Sequence, residues 1–159
     1  MNFTEMRLAP PIFQALHDMD ITSPTEIQEQ SIQTFLNNPK AHIIARAKTG
    51  SGKTLAFAIP IVQNIDPKIN FPQAVILVPT RELCKQVARV LNDLTKYQPI
   101  KIVEVYGGVS IKPQIKALRQ GGQVVIATPG RFIDIYERRQ LFVKHIRTVV
   151  LDEGDRMLD

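Results

Sequence analysis

Two short stretches carry residue types suited to phosphate chemistry. The first, Ala47-Lys48-Thr49-Gly50-Ser51-Gly52-Lys53-Thr54, is close to the pattern G-x-x-x-x-G-K-[ST], with Ala47 standing where the first glycine is usual. Backbone N–H groups of such a loop point inward as an anion nest, backed by the N-terminus of the next helix. Lys53 is expected to reach the terminal phosphates of a nucleotide, and the Thr54 hydroxyl to ligate a magnesium ion. The second stretch, Asp152-Glu153-Gly154-Asp155, follows the apolar run Val149-Val150-Leu151. A carboxylate just past a buried strand is what a phosphate-loop protein needs for its metal. Asp152 is therefore expected to hold the ion with Thr54, and Glu153 to orient or deprotonate the attacking water. An acidic turn alone is commonplace; the phosphate loop gives this one its meaning.

Each stretch needs a strand before it, and the first also needs a helix behind it. The apolar run beginning at His42 predicts the strand leading into the loop. Residues 55–64 predict the helix, with Pro60 implying a kink or an early end. Upstream, Pro10-Pro11 opens a helix whose Ile12, Phe13 and Leu16 form an apolar stripe. A second helix starts near Ser23-Pro24-Thr25-Glu26 and turns Ile27, Ile32, Phe35 and Leu36 inward, before the turn Asn37-Asn38-Pro39-Lys40. Downstream, residues 74–78 are a continuous apolar run, as in a strand buried on both faces. Thr80 then caps a helix with Leu83, Val87, Val90, Leu91 and Leu94 at helical spacing. Residues 100–106 predict a strand closed by Gly107-Gly108, and a helix with Ile111, Ile115 and Leu118 on one face runs to Gly121-Gly122. Gln123-Val124-Val125-Ile126-Ala127-Thr128 predicts another buried strand. Pro129-Gly130 leads into a helix with Phe132, Ile133, Ile135 and Tyr136, and residues 145–152 predict the last strand. Strands alternating with helices imply a three-layer α/β domain with a mostly parallel sheet, which gathers ligands at the carboxyl ends of its strands.

Composition sets outer bounds. The chain has 159 residues, enough for one domain with a real core, and its hydrophobic content of 44% and charged content of 22% are ordinary for a globular protein. No apolar run approaches the ~20 residues that span a bilayer, and the first residues lack a signal-peptide layout. Cys84 is the single cysteine, which excludes an internal disulfide and points to an intracellular setting, cytoplasmic or nuclear. Within a helical pattern it reads as an inert thiol. The net charge of +5 suits a polyanionic partner without requiring one. His17, His42 and His145 lie far apart, with no metal-ligand spacing.

Over nearly its whole length the chain resembles the first RecA-like domain of DEAD-box RNA helicases. The family's nucleotide loop reads A-x-T-G-x-G-K-T, which residues 47–54 match, so Ala47 is a family mark. Ser23-Pro24-Thr25-Glu26-Ile27-Gln28 resembles the family's glutamine motif. The resemblance implies that the Gln28 amide reads the adenine edge, a pairing that guanine would invert. Phe3, 25 residues before Gln28, stands where the family places an aromatic that stacks on the base. Pro79-Thr80-Arg81-Glu82-Leu83, Gly107-Gly108 and Thr128-Pro129-Gly130-Arg131 match its RNA-contacting motifs. Such strand-to-helix junctions offer N–H groups, hydroxyls and arginines to phosphate oxygens, which implies sequence-tolerant, salt-sensitive RNA binding.

The resemblance thus implies ATP and Mg2+ as cofactors and RNA as partner, with no membrane association and a monomeric state. It divides the chain into N-terminal helices with the glutamine motif, 1–40, and a partial RecA-like core, 41–159, within one structural domain. Asp20 and Ile21 stand where the glutamine motif usually has glycine and an aromatic. The tetrad reads D-E-G-D, and Gly154, in place of alanine, leaves the metal and water roles intact. Asp159 precedes the family's third motif and its second RecA-like domain, whose arginine finger is worth about 10³–10⁵ in rate. The expectation is a helicase motor that binds ATP and RNA but needs that missing domain to hydrolyse efficiently. The alternative is an ATP- and RNA-binding clamp with little turnover.

Overall fold

The computed structural model describes residues 2–48, 50 and 52–158. They fall into two compact units, Met1–Asn64 with Asp93–Gln98, and Ile65–Asn92 with Pro99–Asp159.

In the first unit a 3-10 turn at Phe3–Met6 precedes α1 (Pro10–Asp18), α2 (Glu26–Asn37) and α3 (Lys53–Gln63). Proline opens α1 because the first helical N–H has no intrahelical partner to lose. α1 buries Ile12, Ala15 and Leu16, leaving Phe13 half-buried. α2 begins with a reciprocal cap: the Gln28 N–H donates to Thr25 Oγ1 at 3.4 Å, and the Thr25 N–H donates to Gln28 Oε1 at 2.9 Å. Of its expected inward stripe only Ile32 is fully buried; Gln28 and Ser31 share that face, while Ile27, Phe35 and Leu36 are half-buried. α3 is buried almost all round, as an interior helix should be. It continues past Pro60 and closes at Gln63. The proline sits in the last turn, where its missing N–H forfeits one bond, and its carbonyl still accepts from the Asn64 N–H at 3.2 Å.

The strand expected from His42 does not form. Residues 41–48 join no ladder, and Ile44 is 95% exposed. An apolar run supplies the faces of a strand, but the strand exists only where a neighbouring edge completes its hydrogen bonds. Among the described residues no strand pairs with it.

The second unit is built on one parallel sheet of β1 (Ala74–Leu77), β2 (Ile102–Val105), β3 (Val124–Ala127) and β4 (Thr148–Leu151), in the order β2-β3-β1-β4. Leu77 lies level with Ala127 on one side and Leu151 on the other, and Val105 is level with Ala127. The carboxyl ends of all four strands therefore form one row. On one face Val75, Val103, Val105, Val125 and Ala127 pack with Ile111, Ile115 and Leu118, in and before α5 (Lys112–Arg119), and with Phe132 and Ile135 of α6 (Pro129–Glu137). Ile133 and Tyr136 are exposed, because a nine-residue helix lying on one sheet face buries a single stripe.

The alternate residues Ala74, Ile76, Val124 and Ile126 are buried as well, which explains why these strands read as unbroken apolar runs. α4 (Arg81–Leu94) buries Cys84, Val87, Ala88 and Leu91, with the Cys84 thiol donating to the Ile126 carbonyl at 3.4 Å. Val87, Leu91 and Leu94 of the spaced apolar set are buried, whereas Leu83 and Val90 are half-buried and Cys84 and Ala88 complete the stripe in their place. At the amino ends of the strands, Gln73 pins residues 66–72. Its Oε1 accepts the Asp66 N–H at 2.9 Å, and its Nε2 donates to the Asp66 and Ile69 carbonyls at 2.8 and 2.9 Å. No helix among the described residues is long and apolar enough to cross a membrane.

Candidate functional site

The phosphate loop belongs to the first unit. Gly50 and Gly52 both hold φ of 81°, the left-handed region that glycine enters without steric cost. Thr49 and Ser51, named above as binding residues, lie outside the described residues. Gly52 is the N-cap of α3 and brings no side-chain cap, so Lys53 and Thr54 occupy a first turn of the kind whose N–H groups an anion satisfies. Ala47 is half-buried and Lys48 exposed. The carbonyl of Gly52 accepts two bonds, from the Ala56 N–H at 3.2 Å and from Gln28 Nε2 at 3.0 Å.

That second bond joins the glutamine motif to the phosphate loop. The buried Gln28 amide spends its oxygen on the Thr25 N–H and one amine hydrogen on Gly52. One N–H and one lone pair remain available to a further partner. A Cβ at Gly52 would overlap Gln28 Nε2, so glycine is required there by contact as well as by φ. Phe3 is 3% exposed and lines a cavity of about 170 Å³ with Phe13, Leu16, His17 and Ile21.

The remaining candidate residues follow the carboxyl ends of the sheet. After β1 come Pro79, Thr80 and Arg81; Thr80 Oγ1 accepts the Leu83 N–H at 3.2 Å and so caps α4 as expected. After β2 come Gly107 and Gly108, the latter at φ of 83°. After β3 come Thr128, Pro129, Gly130 and Arg131, with Thr128 at the N-cap of α6 and its hydroxyl not used in capping. After β4, the Asp152 N–H donates to the Leu77 carbonyl at 2.9 Å, continuing the ladder one step and leaving the residue 6% exposed. Because the strand ends are level, the sheet brings these four segments to one edge.

Two features depart from simple expectation. Glu153 holds a left-handed backbone at φ of 53°, unusual for a residue with a side chain, and Arg156 donates to its Oε2 at 2.6 Å. Arg81 lies over the Tyr106 ring at 5.1 Å from its centroid, and Lys85 at 6.0 Å. Tyr106, Lys85, Gln114 and Arg156 were not singled out from the sequence. Gln114 carried one signal: it interrupts the apolar face of Ile111, Ile115 and Leu118 at the i+3 position. Gly154 leaves room for the expected alanine, since its Cβ would meet only Leu151 Cβ at 3.5 Å, an ordinary contact.

Comparison with known proteins gives one consistent answer. The family model for DEAD/DEAH box helicases matches residues 25–159. The ATP-dependent RNA helicase DeaD of Escherichia coli is 42% identical over 157 residues, which is 98% of this chain and 25% of that protein. Among solved structures, a DEAD box protein from the hyperthermophile Methanococcus jannaschii superposes with a TM-score of 0.93 at 43% identity, over 99% of this chain and 43% of that one. Saccharomyces cerevisiae Dbp5 bound to RNA and ADP BeF3 gives a TM-score of 0.89 at 32% identity, over 99% and 39%. The chain thus spans between a quarter and a half of the length of these relatives.

Proposed function

Since the chain belongs to the DEAD/DEAH box helicase family, we propose that it forms the ATP- and RNA-binding half of an RNA helicase motor. Residues 1–40 carry the glutamine motif and 41–159 the RecA-like core, and a second RecA-like domain completes the catalytic centre. The observation that carries the reading is the level row of strand ends, which delivers Thr80, Gly107-Gly108, Thr128–Arg131 and Asp152 to one edge. The first three junctions grip RNA through its backbone, so binding is sequence-tolerant.

The phosphates of ATP sit on the uncapped start of α3, with Lys53 as counter-charge. Gln28 selects adenine with its remaining hydrogen-bonding capacity, and Phe3 stacks on the base. The donor set suits magnesium: a hydroxyl from Thr54 and a carboxylate from Asp152 are hard oxygen ligands, the rest coming from phosphate and water. A magnesium ion held by these residues would neutralise charge developing on the transferred phosphoryl group. Glu153, released from Arg156, orients the attacking water.

ATPase measurements on the full-length protein, with and without single-stranded RNA, test the reading. RNA is expected to raise turnover at least tenfold, and Glu153→Gln to abolish turnover while ATP still binds. Turnover that ignores RNA would replace the motor with a nucleotide-dependent RNA clamp.

A further inference from the structure

Arg131 was assigned above to RNA phosphate, yet its guanidinium is already engaged. Nη1 donates to Gln114 Oε1 at 3.0 Å, and Nη2 donates to the Val109 carbonyl at 2.9 Å. Gln114 is itself buried, and its Nε2 donates to the Tyr106 carbonyl at 3.0 Å. The three side-chain bonds form a chain that starts at Tyr106 and ends at Val109. Those are the residues on either side of Gly107-Gly108.

Among the described residues the doublet makes no hydrogen bond of its own. A Cβ built at Gly107 or at Gly108 would meet no atom within 4 Å, so neither glycine is there to allow close packing. Gly108 is left-handed at φ of 83°, and two successive residues without side chains are costly to order. An unsupported Gly-Gly loop at the end of a strand would fluctuate, and its N–H groups would seldom be aligned together for a phosphate. The Gln114–Arg131 bracket removes that freedom at both flanks of the loop.

We propose that Gln114 and Arg131 are positioning residues for the 106–109 loop, and that Arg131 contributes to RNA binding through this loop rather than as a phosphate-neutralising cation. The inference rests on the reading that the loop binds the RNA backbone. It differs from direct contact in one measurable respect. A cation that neutralises a phosphate releases counterions, so its removal flattens the dependence of log affinity on log salt by about 0.7 for a single strand. Loop N–H groups carry no net charge, so losing their alignment weakens binding while the salt slope stays put. Residues in one network are also non-additive.

The test uses the full-length protein in three forms besides wild type: Gln114→Met, Arg131→Met and the double variant. Single-stranded RNA affinity is titrated over a series of salt concentrations in the presence of a non-hydrolysable ATP analogue. Each single variant is expected to bind roughly tenfold more weakly with an unchanged salt slope, and the double variant no more weakly than the poorer single. Gln114→Glu, which keeps an acceptor for Arg131, is expected to recover part of the loss, and it replaces Gln114→Met should that protein fail to fold. Backbone 15N relaxation without RNA supplies an independent readout: order parameters of residues 107–109 should fall to below about 0.6 in both single variants, with β2 unchanged.

A slope flattened by Arg131→Met, together with Gln114→Met affinity within twofold of wild type, would overturn the proposal in favour of direct contact. Unchanged loop order parameters would overturn it too. If wild type binds no RNA while the relaxation results come out as expected, the RNA reading fails and the bracket stands as a purely structural device.

Discussion

Gly52 bears two constraints at once, a left-handed backbone and the proximity of Gln28 Nε2. Gly52→Ala should therefore destabilise the first unit by about 1–2 kcal/mol from the backbone alone, and further from displacing Gln28. Adding Gln28→Ala removes the overlap but not the strain, so the double variant should recover part of the loss in a urea midpoint. If the double were weaker than the single, the contact between the two would not be the cause. At this scale the sequence was most informative where chemistry demands particular residue types: Gly52, Lys53, Thr54 and Asp152 all announce themselves. Arg131 announced itself too, but for a cation in a known motif the eye supplies a phosphate. Its partners Gln114 and Val109 come from another strand–helix connection and share no local pattern with it. A glutamine amide carries no charge and joins no motif until a fold places it.

Among the elements, α1 and the segment after α4 are tied by exposed polar groups: Asp18 accepts from the Tyr97 hydroxyl, and from Lys96 Nζ at 3.1 Å. The Tyr97 hydrogen bond, then the Lys96 one, holds the Asp18 carboxyl below its usual range, while Asp18 raises both Lys96 and Tyr97. The signs follow from linkage. A depressed carboxyl contributes stability above its unfolded value and loses it as pH falls through the folded one; raised Lys96 and Tyr97 contribute below their unfolded values and lose it as pH climbs. The tie is thus at full strength between about pH 5 and pH 9 and weakens at both ends. The melting-temperature gap between wild type and Asp18→Asn should be flat over that window at low salt and close up towards about pH 2. A gap that persisted in acid would show that the side chain acts by packing.

Helix and strand existence was largely readable from periodicity, and the buried face in part, since Val87, Leu91 and Leu94 of the spaced set in α4 are buried. In α4 the burial of Cys84 and Ala88 in place of Leu83 and Val90 is a choice that sheet geometry makes among adjacent apolar positions. Residues 41–48 fail for the complementary reason, since strand propensity is local and pairing is not.

For the whole molecule the parallel register carries a liability. Val149 and Leu151 align with Val75 and Leu77, so they lie on the face that α5 and α6 cover elsewhere, yet they are 61% and 62% exposed. A polypeptide of these 159 residues should self-associate at concentrations where a globular domain of its size stays monomeric. Replacing both residues by threonine places β-branched, polar side chains suited to a strand there and should raise the soluble fraction several-fold without lowering the melting temperature by more than about 3 °C. Light scattering that stays unchanged would move the liability elsewhere. The topology itself, four parallel strands with the outer two far apart in sequence, was only half legible: alternation implied parallel pairing, but the order β2-β3-β1-β4 depends on which crossovers pack.

Cys84 sits inside this fold with no exposed surface, and burial first, with the charge of Glu104 second, pushes its thiol up to about 12. As the single sulfhydryl in the chain, it makes the protein its own stopwatch. An alkylating reagent should label the native protein only in the moments when α4 lifts away, slowed by the opening equilibrium, on the order of 10⁴-fold or more for a domain of ordinary stability. Ligands that tighten the second unit should lengthen that interval and those that loosen it should shorten it, so one mass-spectrometric time course would test the proposed nucleotide and RNA binding as a change in breathing rate, with no probe engineered in.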